Sequence, residues 1–154
     1  MGRKYRLFLS SFILFFLLSG CGRKAAVWVY LYEIPEGYSL CMTGDLGVRQ
    51  QYLYKSDDGA KQVVLEAMEE NNDSIATEIS KQVKIGNKKT TIYCYGGEKI
   101  IYGGLPAGAE AGMYKPQNGD LIYEWKEKGT YLRLFGNLSE NEMLSFVEQV
   151  RVRY

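Results

Sequence analysis

The chain has 154 residues, with 19 Lys and Arg, 18 Asp and Glu, and no His. That is the length of one domain, enough for a single hydrophobic core and too short for two lobes around a cleft. Three of the basic residues fall in the acid-free first twenty positions. The other 134 residues therefore hold 16 basic against 18 acidic groups, a net of −2, and lack the basic footprint of a nucleic-acid binder. The absence of histidine excludes Ser-His-Asp and Cys-His catalysis together with imidazole metal sites.

Arg3, Lys4 and Arg6 precede an apolar run at residues 7–18. As a helix that run rises about 18 Å, well short of a ~30 Å hydrocarbon core, so it predicts an export signal rather than a spanning helix. The next residues, Leu18-Ser19-Gly20-Cys21, resemble the bacterial lipobox. The resemblance implies cleavage before Cys21, a thioether-linked lipid on its sulfur, and an extracytoplasmic position anchored to the bacterial cell membrane. An ordinary secretory signal with a chance cysteine is the competing reading. The expected division is a lipoprotein signal peptide over 1–20, a short tether over 21–25 and a single domain over 26–154. A tether this short holds the domain near the bilayer, with Arg23 and Lys24 close to anionic head groups.

The body reads as strands with turn punctuation. Residues 27–34 are β-branched and aromatic and stop at Pro35-Glu36-Gly37; residues 38–43 and 48–55 follow. Asp57-Asp58-Gly59 predicts a hairpin turn into residues 62–68, although Val64, Leu65 and Met68 also fit a helical face. Residues 69–73 read as a polar loop and residues 77–85 as extended. Gly86-Asn87 turns the chain into residues 90–95, and residues 98–102 form another short strand. The Gly-rich segment 103–119 reads as a long loop. Residues 121–126 and 130–135 form a hairpin across Glu127-Lys128-Gly129.

One helix is well signalled. Ser139 and Glu142 have capping-box spacing, and Met143, Phe146, Val147 and Val150 line one face, with Arg151 and Arg153 near the far end. The expected fold class is α+β: a curved antiparallel β-sheet with a C-terminal α-helix packed on one face.

Two stretches carry a family resemblance: residues 34–38, Ile-Pro-Glu-Gly-Tyr, and residues 123–139, which run from Tyr123-Glu124-Trp125 to Gly136-Asn137-Leu138-Ser139. The second resembles the closing segment of the domain-of-unknown-function 4367 family, with its Trp strand, turn, Tyr-x-Leu strand, Gly-Asn-Leu-Ser cap and short helix. The resemblance implies a half-barrel like those of lipoprotein carriers and envelope stress sensors, on an exported lipoprotein or the outer part of an anchored regulator. The family supplies no catalytic residues to transfer.

Chemistry is sparse. There is no nucleophile elbow, no Ser-x-x-Lys, no phosphate loop and no Cys-x-x-Cys. The paired acids Asp57/Asp58 and Glu69/Glu70 lie in expected turns or loops, without calcium-loop spacing. Lys84, Lys88 and Lys89 read as a solvated hairpin tip. With the Cys94 strand face inward, alternation makes Cys41 and Cys94 point apart, which favours free thiols while leaving a bridge open. No catalytic residue, metal or cofactor is expected, and the chain reads as a non-enzyme.

Tyrosine is the unusual feature. Tyr30/Tyr32, Tyr52/Tyr54 and Tyr93/Tyr95 are i, i+2 pairs on expected strands, and Trp28 is in phase with the first. Were these strands neighbours, the seven rings would form a ligand-binding platform; the same spacing also suits ordinary sheet packing. The expected function is binding or sensing at the cell envelope, the partners being the membrane through the lipid and either an envelope protein or an apolar ligand. The alternative is a carrier of a lipid-like ligand on the concave sheet face.

Overall fold

The computed structural model describes residues 27–71, 73–75, 79–97 and 100–153, with backbone only at 74, 75, 79 and 80. The expected signal peptide over 1–20, Cys21 and the expected tether over 21–25 lie outside the described residues. Eleven strands are described: β1 (Trp28–Leu31), β2 (Tyr38–Asp45), β3 (Arg49–Ser56), β4 (Gln62–Met68), β5 (Ser74–Ile75), β6 (Ile79–Ile85), β7 (Lys88–Cys94), β8 (Ile100–Ile101), β9 (Leu121–Glu127), β10 (Thr130–Gly136) and β11 (Val150–Arg153). The helix α1 (Glu140–Gln149) precedes β11.

Seven strands form one open antiparallel sheet in the order β2-β3-β4-β10-β9-β7-β6. Two-residue turns close the tight hairpins. Gly86 opens one at φ 60°, and Lys128 and Gly129 form the other at φ 48° and 82°. Positive φ at these positions matches the turn to the right-handed twist of the strands. Residues 60–70 fit either a strand or a helical face by sequence, with the strand preferred; they contain strand β4, paired with β3 on one side and β10 on the other. Its central place makes it buried on both faces, which explains why its apolar run lacks a strict period of two.

The helix packs on one sheet face. Ser139 is its N-cap and the capping box with Glu142 is formed. Met143, Phe146 and Val147 are wholly buried against Leu65, Tyr123, Leu132 and Leu134. Phe146 meets the Tyr38 ring edge-on at 5.1 Å and the Tyr54 ring at 5.8 Å. Full burial of a side chain of this kind stabilises by about 1.5–3 kcal/mol, which is why the amphipathic face decides where the helix sits.

Three expectations are corrected. The helix stops at Gln149, and Val150–Arg153 is a strand; Val150 already has extended backbone, φ −63°, ψ 131°. The alternation Val150-Arg151-Val152-Arg153 is a period-two pattern that buries both valines. Strand β1 then lies outside the large sheet and pairs only with β11 in a two-stranded ribbon. Third, Lys88 is no solvated tip. It is buried, and its Nζ donates to the Val147 carbonyl at 2.9 Å, near the negative end of α1, while burial lowers its pKa.

Candidate functional site

Register explains the chemistry of the face away from the helix. Cross-strand partners run Gln51, Glu66, Arg133, Glu124, Thr91 across five adjacent strands. A polar row thus crosses the middle of the sheet, beside an apolar row of Leu53, Val64, Phe135, Ile122 and Tyr93.

Arg133 centres the row. Its Nε donates to Glu124 Oε1 at 2.6 Å, and its Nη1 donates to Glu66 Oε2 at 3.1 Å and Asp73 Oδ2 at 2.7 Å. Arg49 joins from β3, donating to Glu66 at 2.9 Å and to both oxygens of Asp73 at 2.7 and 2.6 Å. Gln51 Nε2 donates to the second Glu66 oxygen at 2.6 Å. The side chains of Arg49, Arg133, Glu66 and Asp73 are at most 2% exposed. Burial alone would raise the Asp73 pKa, but hydrogen bonds from Arg49 and Arg133 outweigh it and hold the carboxyl below its usual range. Burial likewise disfavours the Arg133 charge, and Glu66 and Glu124 more than restore it. The Tyr102 ring lies 5.2 Å from the Arg49 guanidinium, and burial pushes its hydroxyl pKa up strongly.

This network fastens the loop. Asp73 Oδ1 accepts from the Gly103 amide at 3.0 Å. Gln51 and the Tyr114 backbone exchange two hydrogen bonds at 3.3 Å. Met113 and Pro116 are buried, and Tyr114 packs against a second core of Tyr95, Ile100, Ile122 and Phe135, so part of 103–119 is fixed on the sheet. A short 3₁₀ turn, Ala109–Gly112, lies within it.

Between this loop and the ends of β4 and β10 lies a cleft of about 370 Å³. Val64, Phe135 and Gly136 form its floor, and Met113, Lys115 and Asp120 lie on the loop side. Asp120 accepts from the Gln117 amide at 2.8 Å, and burial raises its pKa. A cleft of this size, lined by one exposed cation and one buried acid, suits a small polar molecule or a single side chain of a partner.

The aromatic platform does not form. Tyr52 and Leu65 are partners, and the same row continues through Leu134 and Tyr123 to Ile92. Tyr52 and Tyr54 therefore share the helix face with Ile92, and Tyr93 takes the other. Tyr54 is buried against Phe146, and Tyr95 is buried in the second core. Trp28, Tyr30 and Tyr32 stay together on β1, exposed by 66%, 41% and 74%. The three groups occupy three separate surfaces because pairing register, which spacing within one strand does not reveal, sets the facing of each.

Cys41 and Cys94 are both free and exposed. They lie on β2 and β7, five strand spacings apart, or about 24 Å across the sheet. A bulge between Leu40 and Met42 also breaks the alternation expected through Cys41. The charged network was not anticipated: Asp73 lies in the expected polar loop, but its side chain is buried between two arginines. Its signal is a lone charge inside an apolar strand: Glu66 in Val63-Val64-Leu65-Glu66-Ala67-Met68, and Arg133 in Leu132-Arg133-Leu134-Phe135.

No family model, curated protein or solved structure matches this chain.

Proposed function

We infer that this chain is a lipid-anchored lipoprotein on the extracytoplasmic side of a bacterial cell membrane, acting there as a non-enzymatic binding or sensing module. The observation that carries the reading is the succession of Arg3-Lys4-Arg6, a twelve-residue apolar run and Leu18-Ser19-Gly20-Cys21. The resemblance to the domain-of-unknown-function 4367 family supports the same location and a sheet curved about α1 as a half-barrel.

The non-enzymatic part rests on charge saturation. Glu66, Asp73 and Glu124 each accept from a guanidinium, which leaves none of them poised as a general acid or base. The binding surface is the cleft under the 103–119 loop. Met143, Phe146 and Val147 fill the space beneath the helix, so partner binding is preferred to carriage of a lipid on that face.

Expression of the full chain in a bacterium fed a labelled fatty acid tests the location. Label in the wild type and none in C21S is the expected result; an unlabelled wild type sinks the reading. Native mass spectrometry of the lipidated protein in detergent tests the cleft. An added non-covalent mass, lost in A111W, supports it, because Ala111 lines the cleft and is exposed. The same added mass in both proteins moves the site elsewhere.

A further inference from the structure

The β1–β11 ribbon has two unlike faces. Val29, Leu31, Val150 and Val152 point inward and are buried. The outer face pairs Trp28 with Arg153 and Tyr30 with Arg151. The Tyr32 amide extends the ladder by donating to the Gln149 carbonyl at 2.8 Å, and Arg151 lies 5.8 Å from the Tyr32 ring. Three exposed aromatic rings and two arginines thus share one surface. Lys128 adds a cation at its border, its Nζ donating to the Val152 carbonyl at 2.8 Å. Large exposed rings in contiguity call for an occupant.

We propose that this face lies on the membrane surface, its rings at head-group depth and its arginines on lipid phosphates. The proposal rests on the Cys21 anchor and assigns the orientation that the anchor alone leaves open. Only six residues separate Cys21 from Trp28. Seven chain steps reach at most about 25 Å, so the lipid holds the Trp28 end of the ribbon beside the bilayer. Arg23 and Lys24 in the same span bring two more cations to the same place. Amphipathic rings favour the membrane–water interface, and clustered basic groups favour anionic leaflets. The chemistry is therefore that of a bilayer containing anionic lipid, rather than of a protein groove.

Trp28 is itself the probe, since the other tryptophan, Trp125, is buried in the core and serves as an internal reference. The full-length chain, expressed with labelled fatty acid, is returned to phosphatidylcholine vesicles containing one quarter phosphatidylglycerol and acyl chains brominated at the carbons nearest the head group. The difference between wild type and W28F isolates the Trp28 emission. Expected is bromine quenching of Trp28 with shielding from acrylamide, while Trp125 is unaffected. R153Q, at an exposed position, lowers the ratio of docked to undocked protein about fivefold. Labelled protein whose Trp28 is unquenched and open to acrylamide overturns the docking, because the anchor is present and the face is wet. Shielding without bromine quenching also overturns it, because protein rather than lipid then covers the ribbon. A protein that carries no fatty acid overturns it by removing the anchor, and the missing label identifies that cause.

Discussion

Arg133 donates to Asp73 at 2.7 Å across sixty residues of sequence, and Arg49 holds the same carboxylate from the other side. Asp73 thus joins two central strands to the start of the 103–119 loop through its bond from Gly103. One buried acid sets both the charge balance of the sheet face and the position of the loop.

Removal of that acid leaves two guanidiniums buried with too few acceptors. D73A is expected to cost about 3–5 kcal/mol in chemical denaturation, because breaking a buried pair strands its partners. The exposed pair of Lys81 and Glu140 is the control: K81A is expected to cost less than about 1 kcal/mol. Hydrogen exchange at Gly103 should accelerate in D73A and stay unchanged in K81A. Equal costs for the two variants would refute the assignment of Asp73 as the lock.

Acid should weaken the helix cap. Hydrogen bonds from Lys61 and within the Ser139 cap lower the Glu142 pKa from 4.5 to about 2. A depressed carboxylate contributes stability that is complete above its unfolded value and is lost as pH falls through its folded one. The loss therefore runs from about pH 4.5 down to about 2. Glu142 is partly exposed, so its share is about 1 kcal/mol. Asp73 adds in the same direction, its carboxyl being held low by the two arginines against the opposing effect of burial. Denaturation midpoints of wild type and E142Q should differ at pH 6 and converge as the pH approaches about 2. A constant gap would remove Glu142 from the account.

Gly136 is required by close approach. A Cβ there would lie 2.2 Å from the Gln62 carbonyl oxygen and 2.8 Å from Val63 Cα, both backbone atoms of the neighbouring strand. G136A is expected to lose about 1–3 kcal/mol by forcing β4 and β10 apart. Since Gln62 and Gly136 also line the cleft, the variant should alter any ligand mass seen in native spectrometry. Unchanged thermal stability would contradict this contact.

Cys41 and Cys94 should both react with an alkylating reagent in the folded protein under non-reducing conditions. The separation across the sheet far exceeds the ~7 Å between Cα atoms that a disulfide tolerates. Two added masses are expected if, as proposed, a lipid blocks the Cys21 sulfur. Fewer than two without prior reduction would show that one thiol is protected or bridged to another molecule.

The sequence by itself determined much of the local structure. The capping box at Ser139 and Glu142, the apolar spacing to Val147, and the turns at Gly86 and Gly129 depend on interactions within a few residues. The strands β3, β9 and β10 were legible to within a residue or two, because their composition suits a buried pleated surface, whereas β4 also fitted a helical face until its pairing decided it. The antiparallel sheet with one C-terminal helix follows from these.

Only the tertiary structure decided which faces meet. Tyr52, Tyr54, Tyr93 and Tyr95 have the same spacing in sequence, yet register puts the first two under the helix and the second two under the loop. The Arg49, Glu66, Asp73 and Arg133 network joins four separate segments, and its members recognise one another only once β3, β4 and β10 are in register. Val150–Arg153 became a strand because β1 offered it a partner from the opposite end of the chain. Local preference acts over a few residues, whereas pairing is a long-range choice among strands of similar composition. The buried charges add a further condition, since they are tolerated only where their partners already stand.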